Sequence, residues 1–180
     1  MPALAVTGVN RIGRLRNNAV PIFEIKPLPK TGGIALCILD SGEPAAFIYT
    51  EPENNAKAFD ELLDAGEALA SKSVKVTAFV WVKSFSEPIK FRPRGAHIVM
   101  NVGRRKGADG QLEDFSVKFD DFLRDFFSAI RYGLNLLLPA GPDGTIPDWI
   151  KNVAAKYNRV AAEAGQPLYE NKKLGGNPSI

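Results

Sequence analysis

The stretch SVKVTAFVWVKSF, residues 73–85, alternates strictly along its length. Its even positions, Val74, Val76, Ala78, Val80 and Val82, are all small and apolar. Successive side chains of a strand point to opposite faces, so these five form one row directed at a core. The odd positions are Ser73, Lys75, Thr77, Phe79, Trp81, Lys83 and Phe85. An antiparallel sheet can leave this second face to water, but water does not call for three aromatic rings beside two lysines. After a turn at SEP, the run IKFRPRGAHIVMNV (residues 89–102) returns, with Pro93 and Gly95 marking a kink or bulge. With Ile89 and Phe91 directed to the core, Lys90, Arg92 and Arg94 share the outer face with Trp81 and Lys83.

On either side of this stretch the chain reads as strands followed by a helix, twice. Upstream, PIFEIKPL (21–28), GIALCIL (33–39) and AAFIYT (45–50) are short strands separated by the turn sequences PKTGG and DSGEP. Asn54 or Asn55 then starts a helix to about residue 70, with Phe59, Leu62, Leu63 and Leu69 spaced for one buried stripe. Gly66 weakens this helix. Downstream, RRKGADGQ (104–111) reads as a polar loop and LEDFSVKF (112–119) as the next strand. A helix from Asp120 or Asp121 to about residue 138 follows, with Phe122, Leu123, Phe126, Phe127, Ile130, Leu134 and Leu137 on the 3.6-residue period. Its acidic first turn suits the helix dipole. GPDGTIPDW breaks it, and a last helix runs from Trp149 to about residue 164.

The expected fold is therefore α+β: two repeats of antiparallel strands then helix, plus a C-terminal helix. A basic arm (1–20) precedes a duplicated core (21–138, repeats about 21–70 and 71–138), and a C-terminal helix with a polar tail fills 139–180. A chain of 180 residues with 45% hydrophobic and 24% charged residues is an ordinary globular composition, which excludes global disorder. One cysteine, Cys37, permits no internal disulfide, and one histidine, His97, leaves no Cys/His cluster for a structural zinc. No apolar run approaches the ~18–20 residues that span a bilayer. These features predict a soluble intracellular protein, cytoplasmic or nucleoid-associated, with no metal, cofactor or membrane partner.

The net charge is only +3, but the charges are segregated. Residues 1–23 hold three arginines and no acid; residues 40–70 hold eight acids against one base, a net −7. Residues 71–106 hold nine bases against one acid, a net +8. A positive surface of that kind favours polyanions through counterion release. The acidic segment would be repelled by nucleic acid and is expected to face away from it, free to meet another subunit.

Several local signals carry no chemistry. VTGVNRIGRL (6–15) has glycines at 8 and 13, not GxGxxG, and hairpin strands follow where a nucleotide-binding unit needs a helix. His97 has no nucleophile or carboxylate constellation around it in sequence. Asp60, Glu61, Asp64 and Glu67 read as a solvated helix face, Asp120, Asp121 and Asp125 as helix-start charges, and Cys37 as an inert core thiol. No enzyme motif is found.

Aromatic rings interleaved with cations have a defined use. Bases stack on aromatic rings at ~1–3 kcal/mol each, while lysine and arginine neutralise the phosphates between them. Only single strands expose their bases. The expected activity is sequence-tolerant binding of single-stranded DNA or RNA, without catalysis. Phe79, Trp81 and Phe85 would stack bases; Lys75, Lys83, Lys90, Arg92, Arg94, Arg104, Arg105 and Lys106 would hold phosphates. The alternative is a structural or assembly protein whose aromatic face is a subunit interface. An OB-fold single-strand binder is disfavoured by two helices that each follow a set of strands.

A twice-repeated sheet-plus-helix with a basic, aromatic sheet face resembles the Whirly family of single-stranded nucleic-acid-binding proteins, over about residues 21–138. That family is built from two ββββα units in one chain; related coactivator-type proteins use one unit per subunit as a dimer. The nearest counterpart in position of the family's KGKAAL stretch is RRKG, residues 104–107. A fourth strand in each half would come from residues 3–9 and from splitting the kinked 89–102 run. The resemblance implies a homo-oligomer, a tetramer in the family.

Overall fold

Short apolar runs punctuated by Gly, Pro and Asp close into hairpins, and the first three do so in sequence order. The computed structural model describes residues 21–40, 42–71, 79–106, 112–137 and 146–170. Strands β1 (Phe23–Pro27), β2 (Ile34–Asp40) and β3 (Glu43–Tyr49) form an antiparallel sheet in the order β1-β2-β3. A 3₁₀ turn, Pro52–Asn54, leads into α1 (Asn55–Ala70). Asn54 occupies the N-cap position but makes no side-chain capping bond. The work falls to Asn55, which is buried: its Nδ2 donates to the Gly32 carbonyl (2.9 Å), and Thr50 Oγ1 donates to its Oδ1 (2.6 Å). Thr50 Oγ1 in turn accepts from the Ile34 amide (3.0 Å), so the helix start is tied to β2.

The second half holds four strands, β4 (Val80–Val82), β5 (Ile89–Arg94), β6 (His97–Lys106) and β7 (Leu112–Lys118), antiparallel in the order β4-β5-β6-β7. The expected single kinked strand over 89–102 is a hairpin. Gly95, at φ 60°, adopts the left-handed conformation that the reversal needs, and Arg94 faces His97 across it. β6 also extends through residues 104–106, which the sequence assigned to a polar loop. Helix α2 (Phe119–Leu137) follows, and α3 (Asp148–Glu163) completes the set. The α+β reading therefore holds: two antiparallel sheets, each followed by a helix, and a C-terminal helix.

Both sheets turn their inner faces to one core, which α2 links. Phe23 of β1 and Phe91 of β5 each meet Phe122 and Phe126 of α2 edge-on, with centroids 5.5–5.6 Å apart, while Phe122 and Phe126 stack on each other at 5.2 Å. Gly66 of α1 has a packing reason: a Cβ there would lie 3.0 Å from Phe127 and 3.3 Å from Phe126. The glycine costs some helix propensity and lets α1 approach α2 closely.

α3 covers the acidic face of α1. Lys156 Nζ is held by the carboxylates of Asp60 and Asp64 (2.6 Å to Asp64), and Arg159 Nη1 by Glu67 (2.7 Å). Burial alone would lower the Lys156 pKa, but its hydrogen bonds to Asp60 and Asp64 outweigh that and raise it. Part of the acidic segment, Asp60, Asp64 and Glu67, thus finds its basic complement in the same chain, more than ninety residues away. Cys37 is buried, as expected, but on the outer face of the first sheet with Ala35 and Leu39, and burial pushes its thiol pKa up. Among the described residues no helix is long and apolar enough to cross a membrane.

Candidate nucleic-acid interface

The outer face of the second sheet follows from the alternation of β4 and its pairing. Val82 and Phe91 are fully buried and Val80 packs against the core, so Phe79 and Trp81 turn outward, 57% and 43% exposed. The register pairs Trp81 with Lys90 and Val80 with Phe91. Side chains directly opposite in an antiparallel pair share a face. Accordingly the Lys90 ammonium lies 4.3 Å from the Trp81 ring centroid, and the Arg92 guanidinium 5.9 Å from that of Phe79. Both distances are within cation–π range. Each exposed ring thus carries its own cation from the neighbouring strand.

The face continues across the sheet. Lys90, Arg92 and Arg94 pair with Asn101, Val99 and His97 of β6, and His97 pairs with Lys118 of β7. Lys118 and Arg94 are exposed, Lys90 and Arg92 half-buried, and Val99 is buried. Arg94, His97 and Lys118 make one row of basic side-chain types along the hairpin end. Sequence reasoning missed Lys118, although its place two residues beyond Ser116 on an alternating strand was the available signal.

Phe85 does not belong to this face. It is 5% exposed and packs in the main core, which corrects its expected role in stacking. The cause is a carboxylate. Glu61 of α1 accepts hydrogen bonds from the backbone amides of Lys83 and Ser84, both at 2.8 Å through Oε2. Strand β4 ends at Val82, the chain bends over 84–87, and the alternation that would have held Phe85 outside is lost. Glu61, read from sequence as part of a solvated surface, is thus a half-buried anchor for the end of β4.

Of the other expected phosphate contacts, Lys83 is exposed at the end of β4. Lys75 lies outside the described residues. The backbone of Arg104, Arg105 and Lys106 continues β6, and their side chains lie outside the description.

A second aromatic pair, also missed, lies on the outer face of the first sheet. Phe47 and Tyr49 of β3 are 44% and 43% exposed, with ring centroids 6.3 Å apart at 33°. They alternate with the buried Ala46 and Ile48, as Phe79 and Trp81 do with Val80 and Val82. The edge of β3 meets the β4–β5 connection: the Ser86 amide donates to the Tyr49 carbonyl (2.7 Å), and the Tyr49 amide donates to Ser86 Oγ (3.2 Å). At this seam a shallow notch of about 360 Å³ is lined by Tyr49, Glu51, Lys57, Lys83 and Ser84, among others.

Among the described residues no three His, Cys, Asp or Glu side chains are grouped to hold a metal ion. Comparison of the chain with protein families, characterised proteins and solved structures finds no match in any of the three.

Proposed function

We propose that this chain binds single-stranded DNA or RNA, with little sequence preference and without catalysis, through the outer face of the four-stranded sheet. The observation that carries the reading is the pairing of two open rings, Phe79 and Trp81, with the cations of Arg92 and Lys90. The rings offer faces that any base can use, and Lys83, Lys90, Arg92 and Arg94 stand at strand spacing around them to neutralise phosphates. A duplex keeps its bases stacked inward and gains only the electrostatic part. The family resemblance adds self-association, and the composition adds a cytoplasmic or nucleoid setting; light scattering and localisation of a tagged chain would test them.

A gel-shift series with single- and double-stranded oligonucleotides at two salt concentrations tests the reading. Single strands should bind more tightly than duplex. Four phosphate contacts would give a log–log salt slope of roughly −3. Equal retardation of both forms, or binding that ignores salt, would overturn it. If the chain forms an oligomer that buries Trp81 and binds no oligonucleotide, the aromatic face is a subunit interface.

A further inference from the structure

We infer that the single strand runs beyond the four-stranded sheet, crosses the notch at Lys83 and stacks on Tyr49 and Phe47 of the three-stranded sheet. This deepens the reading above and rests on it. Three features make the two outer faces one track. The first is continuity: Phe79, Trp81 and Lys83 succeed one another at alternate positions, and Lys83 shares the seam notch with Tyr49. The second is repetition, since each sheet presents two open aromatic rings two residues apart on a strand whose intervening residues face the core. The third is the chemistry of the seam. Lys83 and Lys57 line it with one lining acid, Glu51; Lys57 also lies 3.9 Å from Glu61, whose other oxygen accepts the Lys83 and Ser84 amides.

Ser84 Oγ, in the residue that forms part of the notch wall, is buried with no hydrogen-bond partner among the described residues. A buried hydroxyl left unpaired costs free energy, which a turn of this side chain into the notch toward a phosphate oxygen would relieve. The notch is at the small end of ligand sites, large enough for one nucleotide and too shallow to enclose it. The track therefore offers four rings, with a cation-lined step between the second and third.

The test compares Phe47→Ala/Tyr49→Ala with the unaltered chain and with Trp81→Ala, on oligothymidylates of about 4 and about 12 nucleotides. Melting curves establish that each variant is folded; the rings of Phe47 and Tyr49 are open, so truncation removes little core. The long oligonucleotide should lose at least about fivefold in affinity per ring in the double variant, and the short one, which seats on the more basic sheet, distinctly less. Trp81→Ala should weaken both. If the double variant binds both lengths like the parent while Trp81→Ala weakens both, the extended track is wrong and the interface on the second sheet stands. If neither variant changes affinity, both ideas fall. If the double variant converts an oligomer to a monomer with affinity per subunit unchanged, a second copy occupies this face and the inference is overturned.

Discussion

The ammonium of Lys90 stands over the ring of Trp81, 4.3 Å from its centroid. An exposed cation–π contact contributes about 0.5–1 kcal/mol, whereas a base stacked on the ring contributes about 1–3 kcal/mol. In the proposed complex a base would therefore displace the ammonium from the ring, and the ammonium would turn to a neighbouring phosphate. The same exchange applies to Arg92 over Phe79.

Salt dependence separates the two roles of these cations. Lys83→Ala and Lys90→Ala should each reduce affinity modestly and flatten the log–log salt slope by about 0.7, the value of one single-strand phosphate contact. Titrations over a salt series measure both. An unchanged slope in both variants would mean that neither ammonium meets a phosphate.

Phe85 should behave as a core residue. Phe85→Ala is expected to lower stability by about 3–5 kcal/mol, as large-to-small changes at buried aromatics do, with single-strand affinity per folded molecule unchanged. Denaturant unfolding with a parallel binding isotherm checks this. Glu61→Gln should destabilise less, because an amide oxygen can still accept from the Lys83 and Ser84 amides.

The alternation of residues 79–82 was legible because both faces differ so sharply: valines inside, Phe and Trp outside. The amphipathic stripes of the helices were legible for the same reason, and with them the strand–helix order. What the sequence hid depends on distant partners. Nothing near Phe85 announces that Glu61, more than twenty residues earlier, ends the strand and turns the ring inward. The fit of Lys156 and Arg159 onto Asp60, Asp64 and Glu67 spans over ninety residues and appears only when α3 packs on α1. Gly95 read as a kink because the neighbouring Pro93 suggested a disturbed strand; its positive φ makes a full reversal. Phe47 and Tyr49 obey the rule that found Phe79 and Trp81, but AAFIYT carries no cation between its rings to mark an outer face.

The contact between α1 and α3 should respond to pH at both extremes. A hydrogen bond from Arg159 lowers the Glu67 pKa, so this pair's stabilisation is full above the usual glutamate value of about 4.3 and is lost as pH falls through the lower folded value. Arg159→Gln should therefore differ slightly in melting temperature from the parent at neutral pH, with the difference vanishing in strong acid. The Lys156 pKa is raised, so its contribution has the opposite sense: full below the usual lysine value of about 10.4 and lost as pH rises through the folded value. Melting curves across the pH range read both; a difference between Arg159→Gln and parent that grows in acid would contradict the assignment.

The affinity of Trp81→Ala for a single-stranded oligonucleotide tests the central claim most directly. The ring lies outside the core and is 43% exposed, so its truncation should leave the melting temperature nearly unchanged. Losing one stacked base should weaken binding by about 1–3 kcal/mol, roughly fivefold to 150-fold. Unchanged affinity per folded subunit, with an unfolded protein or a split oligomer, would make Trp81 a packing residue and contradict the account.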